Sequence, residues 1–230
     1  MELIVLSTPG NWNGLPTDDE VAKVNELFES GLQHFHLRKP MYSVSELRRW
    51  LSAVEPKYLG RVSIHSFHDL VLHFPVGGIH TSERQRRASL QSRQQDAFLL
   101  EQSPHLRLSS SFHDLSDLRF APKIYDYTFL SPIFDSISQP HYKACFSSEE
   151  LKTTVQNSKN KVIALGGVSA ERIKDVADLG FDGAGLLGAI WQSSDPVVAF
   201  KECQSAAEEF PAAASYEVDE SIRLQGLAAV

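Results

Sequence analysis

Short apolar runs alternate with amphipathic stretches along most of this chain. The runs predict eight β-strands, at residues 3–7, 34–37, 61–64, 78–80, 107–111, 127–130 and 162–165 and directly before Gly188. The stretches between them have helical spacing; after Thr17, for example, Val21, Val24 and Leu27 fall on one helix face. Strands that alternate with helices predict a parallel sheet, and its simplest closure is a single-domain (β/α)₈ TIM barrel. An open doubly wound sheet is the alternative, but the chain has no early Gly-x-Gly-x-x-Gly turn.

A glycine-rich stretch between residues 161 and 191 has the pattern of one strand, helix and strand unit. Gly166 and Gly167 follow its first strand, and Gly188 follows its second. Ser169 is predicted to cap the helix between them. Glycine turns at the ends of two neighbouring barrel strands can bind a phosphate through backbone amides, without a lysine. The competing interpretation is that these glycines only make tight turns.

Composition argues against nucleic-acid-binding, disulfide-bonded and membrane-spanning classes of protein. The 230 residues are 42% hydrophobic, which is enough for a large core, and the net charge of −7 argues against general nucleic-acid binding. Cys145 and Cys203 have no disulfide or metal-site spacing, so we expect reduced thiols in a cytoplasmic protein. The N-terminus lacks the features of a signal peptide, and no run approaches the ~20 apolar residues of a membrane span, so a soluble protein is expected.

The chain is predicted to form one barrel domain over residues 1–210, followed by a tail over residues 211–230. No change of composition occurs before Pro211, whereas the tail is alanine-rich and weakly apolar. The tail is either frayed or a helix docked on the partner subunit of a possible homodimer.

Polar side chains follow several predicted strands, at the end that forms the mouth of a barrel. They are Arg38, His65, His80, His113 and Ser131. Because the carboxyl ends of all eight strands meet in one mouth, we expect these residues to lie close together, opposite the glycine turns. The set suits proton transfer on a small phosphorylated molecule, and His113 is the preferred acid–base candidate. Arg38 is interpreted as an anchor for a substrate anion in preference to a rim ion pair.

The histidines also allow a metal-binding or a purely structural interpretation. His36, His65, His80 and His113 could together bind zinc or iron, but no His-Glu-x-x-His spacing supports this and it is disfavoured. For His65 and His80, a structural hydrogen bond under the mouth is favoured over catalysis. A basic run is predicted to be a solvated helix face; it contains Arg84, Arg86, Arg87 and Arg93.

The chain resembles the thiamine phosphate synthase and TenI family from residue 1 to about residue 207. Six motifs occur in the family's order: HLRKP at 36–40, GIHTSE at 78–83, SSFH at 110–113, DYTFLSPIFDSIS at 126–138, ALGGV at 164–168 and GFDGAGLLGAI at 180–190. The resemblance implies a (β/α)₈ barrel that binds a thiazole phosphate, with Gly167 and Gly188 in the turns that hold the phosphate. We also assign six residues to the substrate pocket: His36, His65, His80, Ser131, Ser136 and Ser138. The polar loop at 135–142, after the sixth strand, is long enough to act as a lid over it.

The family contains two chemistries with different physical demands. The synthase couples hydroxymethylpyrimidine diphosphate to thiazole phosphate with magnesium, and TenI enzymes are thiazole tautomerases that aromatise a thiazole carboxylate phosphate by moving a proton. Departure of a diphosphate requires carboxylates for magnesium and several cations. This chain departs from the synthase at both magnesium carboxylates and at two lysines; the residues found there are Ser66, Gln85, Pro40 and Gln139.

These departures favour a TenI-like tautomerase without a cofactor over a thiamine phosphate synthase. In that hypothesis the glycine turns hold the phosphate, Arg38 steadies the carboxylate and His113 removes the ring proton, with Ser111 beside it. In a synthase, Arg38 and Ser111 would help hold the diphosphate, and Asp69 or Glu83 would bind magnesium. A third hypothesis is a non-catalytic regulatory binder of thiazole phosphate or thiamine phosphate.

Overall fold

Eight parallel strands form a closed barrel in which each strand pairs with its neighbours in chain order. The computed structural model describes residues 1–9, 17–88, 90–135, 143–210 and 223, without the side chains of residues 88 and 90–92. The strands are β1 (Glu2–Leu6), β2 (His34–Leu37), β3 (Val62–Ile64), β4 (Gly78–Thr81), β5 (Arg107–Phe112), β6 (Tyr127–Leu130), β7 (Lys161–Leu165) and β8 (Gly183–Leu186). Since β8 pairs with β1, the sheet has no edge, and the prediction of a single (β/α)₈ barrel is confirmed.

Helices cover the outside of the barrel. They are α1 (Thr17–Glu29), α2 (Val44–Ala53), α3 (Glu83–Ala88), α4 (Leu90–Gln102), α5 (Leu115–Arg119), α6 (Ser148–Gln156), α7 (Ile173–Asp178), α8 (Gly188–Trp191) and α9 (Pro196–Glu208). Short 3₁₀ helices occupy Pro56–Arg61, His68–Leu72 and Ala170–Arg172. In the described part of the chain, no helix has the length and apolar character needed to cross a membrane.

Serine side chains set the first turns of two helices. Ser43 and Ser147 each accept a hydrogen bond from the backbone N–H three residues ahead, and a glutamate at that position completes a capping box. The predicted cap at Ser169 is wrong. Its hydroxyl donates to the Glu171 carboxylate at 2.6 Å and makes no capping bond to the backbone. The residues after it form a 3₁₀ helix that precedes α7.

The barrel has two cores because side chains alternate between the two faces of each strand. Outward-facing residues pack under the helices; Phe35, for example, stacks on Trp50 with ring centroids 5.6 Å apart. The smaller inner core comes from β1, β6 and β7 and contains Ile4, Leu6, Tyr127, Phe129 and Ile163. Strands β2 to β5 instead contribute polar side chains to the interior, namely His36, Ser63, His80 and Ser109, all at most 1% exposed. The interior is therefore apolar on one side and polar on the other.

One residue of the predicted tail contacts the barrel. Arg223 is 8% exposed; it donates to the Leu106 carbonyl at 3.0 Å and pairs with the Asp126 carboxylate at 2.6 Å. Leu106 and Asp126 precede β5 and β6, so Arg223 lies at the amino-terminal end of the barrel. At this position the tail is bound to its own chain. The domain boundary at residue 210 stays a prediction.

Candidate active site at the barrel mouth

A cavity of about 980 Å³ opens at the carboxyl ends of the strands. The structure brings most of the predicted site residues together around it: Arg38, His65, His80, Glu83, Ser111, His113, Ser131, Gly166, Gly167 and Gly188. His36 does not line the cavity, because it is fully buried one layer below, against Tyr127 and Phe129. Asp69 is exposed on the 3₁₀ helix after β3 and is not among the lining residues, so its proposed role as a metal ligand is not supported. Ser136 and Ser138, with nearly all of the predicted lid, lie outside the described residues.

The glycine turn after β7 is held against the segment that follows β6. Gly166 and Gly167 have φ angles of +97° and +68°, in the region that favours glycine. The Gly166 carbonyl accepts from the Phe134 N–H at 3.0 Å. A Cβ on Gly167 would lie 2.7 Å from the Phe134 Cβ and would clash with the Asp135 carbonyl. Close packing of two loops therefore requires these glycines, and the turn also lines the cavity.

Replacing Gly167 with alanine is expected to displace this turn. The unfavourable φ and the clash together should cost about 1–3 kcal/mol of unfolding free energy. Urea unfolding of Gly167→Ala checks this, with Gly60→Ala as the matched control, since no atom lies within 4 Å of a Cβ at Gly60. Equal unfolding midpoints for the two variants would contradict the packing argument.

Three histidines pack against one another at the floor of the cavity, in a group that we call the histidine cluster: His36, His65 and His80. His36 Nδ1 lies 2.8 Å from His65 Nε2, and His36 Nε2 lies 2.6 Å from the Tyr127 hydroxyl. The two ring nitrogens of His80 lie 2.8 Å and 2.9 Å from the hydroxyls of Ser109 and Ser111. Serine and tyrosine hydroxyls therefore fix two of the rings.

Burial keeps the histidine cluster neutral. Desolvation lowers the pKa of His80 to about 3, and it holds the pKa values of His36 and His65 well below the usual range. The neighbouring imidazoles act in the same direction, because a second positive charge nearby is unfavourable. At neutral pH the three rings therefore form their hydrogen bonds in the uncharged state.

The histidine cluster does not fit a metal ion as it stands. One nitrogen from each ring lies within 4.8 Å of the others, which is compact enough for a site. However, His65 and His80 are stacked, with centroids 4.0 Å apart and only 23° between their planes. An imidazole lone pair lies in its ring plane, so two stacked rings cannot direct their lone pairs at one ion. His113 stands apart at the rim.

His113 is the accessible histidine of the mouth, with a side chain 48% exposed. Its Nδ1 donates to the Ser131 carbonyl at 2.9 Å, which fixes the tautomer and leaves Nε2 as the basic nitrogen. Nε2 lies 4.0 Å from the Glu83 carboxylate, beyond hydrogen-bond distance. The ring can therefore accept a proton from a molecule bound in the cavity.

Helix α3 begins directly after β4 and places charged side chains in the mouth. Arg84 and Arg87 are exposed and line the cavity; Arg87 bonds Glu83 and Asp117, whereas Arg84 has no ion pair among the described residues. The prediction of a solvated helix face holds for these two arginines. It is wrong for Arg86 and Arg93, which are half-buried and line a second cavity.

The mouth also contains two arginines whose position there was not predicted. Arg84 and Arg87 follow β4 at helical spacing, a signal that could have placed them at the rim. Lys39 lines the cavity as well, although its side chain is only 1% exposed and its ammonium is bonded to the Glu20 carboxylate at 2.5 Å. Its burial was not visible from the motif HLRKP, because the partner lies on α1.

The residues present do not fit the magnesium ion that the family resemblance implies. Mg²⁺ requires oxygen ligands, usually carboxylates. Glu83 is the carboxylate that lines the described part of the mouth, and it is paired with Arg87 at 2.7 Å. The Gln85 amide oxygen, at the second carboxylate position, accepts from the backbone N–H and the hydroxyl of Ser82. The carboxylate pair needed for the ion is therefore missing from the described lining.

The fold and the cavity together define a (β/α)₈ barrel with a polar cavity at its mouth, where barrel enzymes have their active sites. Residues 5–190 match the model of the family described as thiamine monophosphate synthase, and the chain belongs to this family. The thiamine-phosphate synthase of Photorhabdus laumondii is 26% identical over 189 residues, which is 78% of this chain and 82% of the relative. The thiamine-phosphate synthase of Pyrococcus abyssi is 24% identical over 198 residues, which is 83% of this chain and 89% of the relative.

A solved structure gives the same result. Thiamine phosphate pyrophosphorylase from Bacteroides thetaiotaomicron is 28% identical, with a TM-score of 0.71 over 92% of this chain and 100% of that chain. The relatives thus carry the name of the synthase. They support the synthase over the tautomerase that the sequence departures favoured.

Proposed function

We propose that this protein couples hydroxymethylpyrimidine diphosphate to thiazole phosphate in the mouth cavity, the reaction of a thiamine phosphate synthase. The observation that carries the proposal is a cavity with glycine turns on one side and an arginine without an ion pair among the described residues on the other. The glycine turns follow β7 and β8, whereas Arg84 follows β4, which is four strands from β8 in either direction. A cavity of about 980 Å³ with two opposite anion sites suits two phosphorylated substrates better than one.

Each side is assigned one substrate. Backbone amides of Gly166, Gly167 and Gly188 bind the thiazole phosphate, which requires no side-chain cation. Arg38 and Arg84 bind the diphosphate; neither has an ion pair within the described chain, so both guanidiniums are available. The thiazole nitrogen attacks the pyrimidine methylene carbon as the carbon–oxygen bond to the diphosphate breaks. The two guanidiniums stabilise the negative charge that develops on the departing pyrophosphate.

The thiazole tautomerase is the second candidate, and specific observations support it. Ser66 and Gln85 stand where the family has magnesium carboxylates, and His113 presents Nε2 to the cavity as a base. In this candidate, His113 removes the ring proton of a thiazole carboxylate phosphate and Arg38 binds the carboxylate.

A coupling assay separates the two candidates. Purified protein receives both synthase substrates, with and without added magnesium, and thiamine phosphate is measured. Turnover supports the proposal. If thiazole phosphate binds but no thiamine phosphate forms, the synthase is excluded; solvent deuterium incorporation into thiazole carboxylate phosphate, lost in His113→Ala, would then establish the tautomerase. Binding of thiazole phosphate without either activity would leave the regulatory binder.

Arg84→Gln is expected to lower kcat/KM for the diphosphate substrate by about 10- to 100-fold. The reason is that a guanidinium contact to a departing diphosphate strengthens in the transition state. The KM for thiazole phosphate should change little, because its site lies across the barrel. Arg48→Gln, at an exposed position of α2, is the matched control. An unchanged kcat/KM in Arg84→Gln would remove this residue from the proposed diphosphate site.

A further inference from the structure

A second cavity of about 310 Å³ lies outside the barrel wall, beside β4, β5 and helices α3 to α5. It shares no described lining residue with the mouth. Its volume is at the lower end of the range for small-molecule sites. The residues that line it include Arg86, Arg93, Asp96, Phe112, Phe120 and Tyr125.

One wall of this outer cavity is aromatic. Phe112 and Tyr125 are buried, while Phe120 at its edge is 81% exposed. The Arg86 guanidinium lies over the Phe112 ring, 4.0 Å from its centroid. This combination suits a flat apolar group and places a cation beside it.

The acidic side chains of the outer cavity already have partners. The two Asp96 oxygens accept from His68 Nδ1 at 2.6 Å and from the Thr81 hydroxyl at 3.1 Å. Asp117 is bonded to Arg87. Neither carboxylate therefore requires a cation from a ligand.

The arginines of the outer cavity retain unused donors. The Nε atoms of Arg86 and Arg93 are both buried, and neither has a hydrogen-bond partner in the described part of the chain. Burial of an unpaired N–H is costly, so two such donors in one cavity favour a ligand that brings acceptors. The unsatisfied polarity of the outer cavity is therefore cationic.

We propose that the outer cavity is a second binding site, for a small organic anion: a carboxylate or phosphate ester with a flat apolar part. The acidic group accepts hydrogen bonds from Arg86 and Arg93, and the apolar part packs against Phe120 and Tyr125. This site is independent of the reaction in the mouth.

Benzoate and phenyl phosphate are suitable probes, with benzylamine as the cationic counterpart of the same shape. Each is titrated against the full chain and followed by NMR chemical shifts. Either anion is expected to bind, and Arg93→Gln and Phe120→Ala should each weaken that binding at least about tenfold. Phe120 is exposed, so its variant tests the site even if Arg93→Gln fails to fold. Arg38→Gln, in the mouth, is the matched control and should retain this binding event.

Three results would overturn the proposal. They are no binding of either anion up to about 10 mM, equal binding of benzylamine, and anion binding that disappears in Arg38→Gln but persists in Phe120→Ala.

Discussion

Acidification is expected to destabilise this protein through the histidine cluster, with a loss of about 2.7 kcal/mol from His80 alone between pH 7.5 and pH 4.5. Burial lowers the folded-state pKa of His80 to about 3, whereas an unfolded histidine titrates near pH 6.5. Well above pH 6.5 neither state binds the proton and the effect is absent. Between pH 6.5 and pH 3 only the unfolded state binds it, so stability falls by about 1.4 kcal/mol per pH unit. His36 and His65 add to the loss, because their pKa values are also lowered.

The measurement is the urea unfolding free energy at pH 7.5 and at pH 4.5. His80→Gln keeps an uncharged polar side chain near Ser109 and Ser111 but cannot take up a proton, so its loss on acidification should be smaller than that of the natural protein. The exposed histidine variant His105→Gln is the control. Half-buried carboxylates such as Glu2, whose pKa is lowered by His34 although desolvation opposes the shift, contribute equally in the variant and the natural protein and cancel in the comparison. An identical pH dependence in His80→Gln and the natural protein would contradict the assignment.

Removing the buried Lys39 charge is expected to destabilise the barrel by about 3–5 kcal/mol. Lys39 and Glu20 are paired at 2.5 Å, with 1% and 2% of their side chains exposed. Glu20 also accepts from the Thr8 N–H and hydroxyl, both at 2.9 Å. Burial lowers the pKa of Lys39 and the Glu20 carboxylate opposes that shift, which is the signature of a desolvated ion pair. Lys39→Met would leave a buried carboxylate without its counter-charge.

A double-mutant cycle tests this pair by chemical unfolding. The variant with both Lys39→Met and Glu20→Gln should be more stable than Lys39→Met alone, since no unpaired charge remains. Lys23→Met breaks the exposed pair with Glu26 and serves as the control, with an expected loss below about 1 kcal/mol. If Lys39→Met were no more harmful than Lys23→Met, the buried pair would not be a major contributor to stability.

The periodicity of the chain was enough to predict the barrel and the rim. Strands β2 and β6 were predicted with their observed bounds, and the others to within a residue or so, because turns and glycines delimit apolar runs. The residues of the mouth could be predicted from chain order alone, since all strands of a parallel barrel have their carboxyl ends on one side. Arg38, His113 and Ser131 were placed together without any knowledge of contacts.

Contacts between side chains on different elements could not be predicted in this way. Alternation within β2 and β4 can place His36 and His80 inside, but it does not say which ring nitrogens meet. Asp69 was a candidate to replace a missing magnesium ligand, yet the 3₁₀ helix at His68–Leu72 leaves it exposed. The unpaired donors of the outer cavity depend on how α3 and α4 pack against β5, which no local pattern encodes.

The contact made by Arg223 shows that a boundary drawn from composition need not coincide with the limit of the contacts that hold the barrel together. By composition the barrel ends at residue 210, and a shortened chain ending there would look complete. Such a chain would lack the guanidinium that pairs with Asp126, whose carboxylate also accepts from the Leu108 N–H at 2.7 Å at the start of β5. Removal of the residues after 210 is therefore expected to weaken the amino-terminal end of the barrel, where Arg223 also donates to the Leu106 carbonyl.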